Sequence, residues 1–257
     1  MLGGGGVCEA VLCWAIQGTT QATNGWVGGK GGRTALITTA GFRESLEIAD
    51  EHRFEQYDLD MERPAPLVPR DLRLEITERL AADGSVLLPL DEAAVPALVQ
   101  RLRAERIEAL AISFLHSYVN PAHEIRARDL IAAAMPEVAI TISSEVCREI
   151  REYERTSTAV ANAYVLPLME SYIARMRDGL LGLGAACPLL LMMSSGGICT
   201  VETACRFPAR LVGSGPAGGA VLAGHGGARG GDDRAISVAV GGTRATRRRG
   251  RCRTQAQ

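Results

Sequence analysis

The 257 residues are 47% apolar, 22% charged and only 4% aromatic, the profile of a globular chain whose core is built from aliphatic side chains. No apolar run reaches the roughly 20 residues of a membrane helix, so a membrane-spanning class is excluded. Net charge is −1, but residues 244–257 hold six arginines and no acid, which leaves −7 on residues 1–243; an acidic body argues against a nucleic-acid partner.

Residues 1–32 are Gly-rich and irregular, and the start lacks the basic segment of a secretion signal, so a cytoplasmic protein is expected. RTALITT (33–39) reads as a strand, and 41–50 as a helix with Leu46 and Ile48 facing inward. Pro64, Pro66 and Pro69 mark a loop. LRLEITERL (72–80) alternates, with Leu72, Leu74 and Ile76 inward and Arg73, Glu75 and Thr77 outward, and the Asp83-Gly84 turn predicts a hairpin to 85–88.

Asp91 then predicts a capped helix to Arg106, and 107–115 a buried strand. Asn120-Pro121 opens a helix to about Met135, followed by a strand at 138–143. Residues 150–181 form the longest helical stretch, broken or bent near Pro167. Strands are predicted at 188–193, 210–213 and 235–240, and helices at 201–206 and 216–224. Alternating strands and helices define an α/β class with a largely parallel sheet. After Thr243 periodicity stops, and RATRRRGRCRTQAQ is expected to be a disordered tail.

The seven cysteines (Cys8, Cys13, Cys147, Cys187, Cys199, Cys205, Cys252) are scattered and lack a C-x-x-C pair, which argues against a disulfide framework or a structural zinc. His116 and His123 flank a strand-to-helix turn; with no third ligand they read as capping and loop hydrogen bonds, and no metal site is assigned. Five segments carry chemistry. GTTQATN (18–24) gathers hydroxyls in a Gly-bounded loop that suits phosphate or carboxylate oxygens. SGPAGGAVLAGHGG (214–227) places small residues at a helix start, either for close packing or for an anion. AVGGT (239–243) is a strand end with backbone donors, but Ala239 stands where an acid would hold Mg²⁺. EYERTSTAVANAYV offers Glu152, Arg155, Thr156 and Asn162 from one helix, as cleft residues or as an internally paired, solvated face. The fifth, FLHSYVNPAHE, carries the two histidines.

In this order, GTTQATN, ALITTAGFRESLEI, LVPRDLRLEITERL, FLHSYVNPAHE, EVCREIREYERTSTAVANAYV, MMSSGGI and VGSGPAGGAVLAG resemble the hydantoinase A/5-oxoprolinase family over about residues 17–243. The resemblance implies part of an actin/Hsp70-like two-lobed α/β ATPase fold, and an ATP-dependent hydrolase that opens a cyclic amide such as 5-oxoproline or a hydantoin. Phosphorylation of the amide oxygen would create a leaving group and let water attack the carbon. It also implies ATP and Mg²⁺ as cofactors, a small cyclic-amide substrate, and a homo-oligomer or a hydantoinase B-type partner subunit. By carry-over, the nucleotide residues are Thr19, Thr20, Asn24, Ser214, Gly215, Gly218, Gly241, Gly242 and Thr243, and the substrate residues Arg155, Thr156 and Asn162.

The chain departs from the family pattern at informative places. The family's phosphate hairpins read D-x-G-G-T-x-T-D; the first is not found before GTT, and in the second Ala239 and Thr246 stand at the two Asp positions. Gln17 stands where His is usual. The domain expectation is an atypical start (1–16), a hydantoinase N-terminal-type region (17–186), the start of the hydantoinase A domain (187–243) and the basic tail (244–257). The Gly-rich start and the abrupt change at Arg244 lead to the expectation of an internal piece, incomplete at both ends through a displaced reading frame and inactive alone. The alternative is a non-catalytic subunit or interaction protein on the same fold.

Overall fold

The structure, a computed structural model, describes residues 14–50, 55, 57–60, 64–185 and 187–230, and the backbone of 234–240 and 245–251. The chain forms two compact units: unit 1 comprises residues 1–30 and 168–257, and unit 2 residues 31–167.

Unit 1 begins with β1 (Ala15–Gln17) and α1 (Gln21–Val27). Unit 2 then inserts as one continuous segment. Its centre is β2 (Thr34–Thr39), which is buried along its whole length. The next elements are α2 (Ser45–Ile48), β3 (Arg73–Ile76), β4 (Arg79–Leu80) and β5 (Val86–Leu88). They are followed by α3 (Val95–Ala104), β6 (Ala109–Ser113), α4 (Ala122–Ala134), β7 (Ala139–Ile142) and α5 (Ser143–Val146). The long helix α6 (Glu152–Gly182) contains Pro167 at the division between the units.

The main sheet of unit 2 is parallel, in the order β3-β2-β6-β7. Ile37 pairs with Leu74 on one side and Ile112 on the other. Continuous apolar runs in β2 and β6 follow from this, because helices and loops cover both faces of a parallel sheet. α3 buries Val95, Val99 and Leu102 at helical spacing. α4 adds Ala127 and Ile131, and its entry is fixed by Asn120 Oδ1 accepting from Ala122 N at 3.1 Å. The core cluster, from Ala35 to Ala163, lies wholly within this unit.

Unit 1 resumes with β8 (Leu189–Met192), β9 (Ile198–Thr200), α7 (Val201–Arg206), α8 (Ser214–Gly230), β10 (Arg234–Val240) and β11 (Ala245–Arg251). β8 runs parallel to β1 and antiparallel to β9, while β10 and β11 form an antiparallel ladder.

Four expectations are corrected. The 41–50 helix is a single turn: Ala49 at φ 49° ends it, and Ile48 is exposed. The 72–80 strand is split into β3 and β4, and Arg73 is buried rather than outward. The Pro-rich segment covers its face, so Arg73 Nε donates to Val68 O (3.0 Å) and Nη2 to Glu47 (3.2 Å). Residues 210–213 form no strand; Pro208–Leu211 is a 3-10 turn. The Arg-rich segment expected to be disordered instead contains β11, since a strand ladder satisfies backbone groups whatever the side chains. The predicted turn at Asp83-Gly84 does form: Gly84 has φ 86°, and an added Cβ would lie 2.9 Å from Val119.

Candidate functional site

In unit 1 the two glycine-bounded segments singled out in the sequence meet. Ser214, fully buried at the first residue of α8, donates from Oγ to Thr19 O (2.9 Å) and accepts from Thr19 N (3.1 Å). These reciprocal bonds cross 195 residues of sequence. Gly213, at φ 81°, turns the chain into α8, and its N–H donates to Thr23 Oγ1 at 3.4 Å. Gly18 packs beside Gly215: a Cβ on Gly18 would lie 3.8 Å from Gly215 Cα.

The resulting cradle is lined by neutral groups. Thr19 Oγ1 accepts from Gln21 N (3.1 Å), and Thr20 Oγ1 accepts from Asn24 Nδ2 (3.3 Å), so each hydroxyl retains a proton to donate. The start of α8 adds the backbone donors and dipole of a 17-residue helix. This donor set fits phosphate oxygens. Gly218 lies one turn further on; a Cβ there would meet Met192 at ordinary contact distance, 3.7 Å, so packing does not demand glycine. Gln17 Nε2 turns back to Gly18 O at 2.8 Å.

Gly241, Gly242 and Thr243 lie outside the described residues. The strands they connect are described, and Ala239 and Thr246 are direct cross-strand partners in the β10–β11 ladder. The two positions at which the family pattern carries aspartates are thus side by side, and neither can supply a carboxylate. No group of three or more acids, histidines or cysteines that could hold a metal occurs among the described residues.

Arg155, Thr156 and Asn162 behave differently from the reading as cleft residues. All three are buried and engaged inside unit 2. Arg155 donates to Phe114 O (2.9 Å), Glu149 O (2.9 Å) and Ser143 Oγ (3.2 Å), with its guanidinium over the Tyr118 ring. Thr156 bonds Ser113 Oγ (2.7 Å), and Asn162 Nδ2 donates to Thr141 Oγ1 (3.1 Å). They tie α6 to the carboxyl ends of β6 and β7.

Two buried carboxylates, both missed by sequence reasoning, complete that network. Glu124, fully buried, accepts from Phe114 N and Ser144 N (2.9 Å each) and from Ser143 Oγ (2.5 Å). Glu78 bonds Thr39 Oγ1 and, at 2.7 Å, His123 Nδ1. No periodicity marks either residue; only the fold brings them together. His123 therefore has a carboxylate partner.

For two of the described thiols the surroundings disfavour the thiolate. Burial pushes the Cys199 thiol up, and burial together with Glu170 and Glu202 does the same for Cys205. The described cysteines Cys147, Cys187, Cys199 and Cys205 are free.

A mixed α/β chain with a Gly-Thr-Thr loop closed onto a Ser-Gly-Pro helix start now has defined relatives. Residues 8–135 match the hydantoinase/oxoprolinase N-terminal region, and residues 155–246 match hydantoinase/oxoprolinase. The chain belongs to the hydantoinase/oxoprolinase family. It is 40% identical over 213 residues to caprolactamase subunit alpha from Pseudomonas jessenii, covering 82% of this chain and 30% of that protein. It is 31% identical over 232 residues to 5-oxoprolinase from Saccharomyces cerevisiae, covering 80% of this chain and 18% of the relative. The crystal structure of ATP-dependent caprolactamase from Pseudomonas jessenii superposes with a TM-score of 0.81 at 38% identity, over 91% of this chain and 34% of that one. A nucleotide-free acetone carboxylase structure gives 0.82 at 25% identity, over 94% and 36%. The chain thus spans about a third or less of these relatives. The family comprises ATP-dependent enzymes of the hydantoinase, oxoprolinase and caprolactamase type.

Proposed function

We propose that this chain derives from an ATP-dependent hydrolase that opens a cyclic amide, 5-oxoproline or a hydantoin-like ring, on a two-lobed actin/Hsp70-like fold, and that the chain itself does not turn over ATP. The observation that carries the reading is the reciprocal Thr19–Ser214 pair. It closes the Gly-Thr-Thr loop onto α8 and gathers neutral donors just before the β10–β11 hairpin in sequence. Thr19, Thr20, Asn24, Ser214, Gly215 and Gly218 supply its hydroxyls, amide and backbone donors, and Gly241, Gly242 and Thr243 are proposed for the same nucleotide site from the family resemblance alone.

Inactivity is inferred from the missing charge. Phosphoryl transfer needs carboxylates to hold Mg²⁺ against the phosphates. The paired positions Ala239 and Thr246 offer a methyl and a hydroxyl. Relatives named as subunits, caprolactamase subunit alpha and acetophenone carboxylase gamma subunit, support a role alongside a partner subunit.

The test is phosphate release by the purified chain with ATP, Mg²⁺ and 5-oxoproline, hydantoin or caprolactam. No release above background is expected. Mg²⁺-dependent ATP hydrolysis, with or without any of the three amides, would refute the proposed inactivity.

A further inference from the structure

We infer that the two chain crossings between the units form a hinge, bending at Gly28–Gly29 after α1 and at Pro167 within α6, and that unit 2 turns on it as one rigid body. The chain passes between the units twice, at Lys30–Gly31 and at Pro167–Leu168. Hinges are a few element-terminal or loop residues that absorb a change in backbone angle. Both crossings carry such residues.

The first crossing is a linker held by little packing. Residues 27–30 are all exposed. Gly28 ends α1, and Gly29 stands at φ 63°. A Cβ on Gly29 would have no atom within 4 Å among the described residues. Its backbone conformation calls for glycine, and no neighbour fixes it in place.

The second crossing is a helix short of one bond. α6 runs through Pro167, which has no N–H to give to Ala163 O one turn earlier. Sharp bends in long helices are found at such prolines. The loosened turn is used from outside the helix: Gly32 N donates to Tyr164 O at 2.9 Å. Missing side chains permit this approach. A Cβ on Gly31 would lie 2.3 Å from the Tyr164 ring, and one on Gly32 3.1 Å from Pro167 Cγ.

These contacts place the two bending points beside each other. Two connections far apart would oppose rotation, because bending one would stretch the other; adjacent connections share one axis. Gly31, Gly32, Tyr164 and Pro167 all belong to unit 2, so the stitched end turns with that unit. Unit 2 keeps its shape as it turns, since its core and the bonds of Glu78, Glu124 and Arg155 close within it. Close-packed interiors transmit displacement instead of absorbing it. A bend of roughly 20° at Pro167, carried across a unit about 25–30 Å wide, moves its far edge by about 10 Å. The motion requires neither nucleotide nor substrate and stands apart from the proposed ATP chemistry.

The experiment is measurement of backbone residual dipolar couplings on the full chain in a weakly aligning medium. Couplings from residues 31–167 should fit one alignment tensor, and those from unit 1 a second tensor of different magnitude. Pro167→Ala returns the missing N–H to the helix and should shrink the difference between the tensors at least about two-fold. Gly29→Asn keeps the left-handed conformation with less freedom and should shrink it in part. Couplings within unit 2 should be unchanged by Gly29→Asn, which keeps the test decisive if Pro167→Ala perturbs folding. A single tensor fitting both units of the unaltered chain, or a difference indifferent to both substitutions, would overturn the inference.

Discussion

Arg73 and Arg155 have the same side chain and nearly the same burial, yet neither was legible as a core residue. Arg73 alternates as an outward residue of a strand, and Arg155 reads as part of a polar helix face. Both are buried because unpaired carbonyls of neighbouring loops need donors. Arg155 meets Phe114 O and Glu149 O, groups that would otherwise lack partners inside the unit. Replacement by Met keeps the bulk and removes the donors, which should cost roughly 2–5 kcal/mol through stranded carbonyls. Urea unfolding of Arg155→Met measures this; a change below about 0.5 kcal/mol would show the network to be incidental. Gly31 is set by space: a Cβ there would lie 2.3 Å from the Tyr164 ring. Gly31→Ala should therefore destabilise by about 1–3 kcal/mol, as over-packing does, and Tyr164→Leu in the same chain should recover part of the loss. Glu44 shows the electrostatic side. Hydrogen bonds from Arg70 and Arg43 lower its carboxyl from 4.5 to about 2. The folded value lies below the unfolded one, so this stabilisation is complete above pH 4.5 and is lost as pH falls toward 2. In Tm measured against pH, Glu44→Gln should flatten the curve within that window only. Because the cluster is exposed, added salt should shrink the difference.

At the scale of elements, hydrophobic period was a good guide wherever burial is uniform. A continuous apolar run located β6, and Asn120 located the start of α4, because central strands and caps leave local marks. It failed where a non-local partner decides. The 72–80 run splits because Arg79 and Leu80 pair antiparallel with β5 while Arg73–Ile76 pairs parallel with β2, and one alternating sequence cannot announce two partners. The 210–213 segment failed for a related reason: Gly213 must turn at φ 81° to deliver Ser214 to Thr19, a demand made 195 residues away. The candidate cradle was legible as two separate glycine-bounded loops, but their meeting was not, and neither was the carboxylate pair Glu78 and Glu124. α7 makes a simple check of local logic. Thr200 Oγ1 accepts from Thr203 N at 3.4 Å, the N-cap bond that satisfies an orphan donor. Thr200→Ala should cost about 0.5–1 kcal/mol, whereas Thr200→Asp should be near neutral.

At the scale of the whole chain, the decisive feature is that unit 2 is continuous in sequence while unit 1 is not. Residues 31–167 contain the entire parallel sheet and the whole core cluster. Their two ends are tied together where Gly32 N donates to Tyr164 O at 2.9 Å, so excision would not strand a distant partner strand. The networks that buried Glu78, Glu124 and Arg155 build are also complete within these limits. Unit 1, by contrast, depends on β1 meeting β8 and Thr19 meeting Ser214 across the full insertion. A segment with its own core and close ends meets the requirements of an independently folding domain. Residues 31–167 expressed alone should therefore unfold in one cooperative transition, with an enthalpy of roughly 90 kcal/mol near 60 °C and calorimetric and van't Hoff values in agreement. The counterpart joining 1–30 to 168–257 through a short linker should be less cooperative, because a closure that unit 2 now imposes would be left to the linker. A non-cooperative melt for 31–167, or a calorimetric enthalpy well above its van't Hoff value, would mean that unit 2 draws its stability from the rest of the chain.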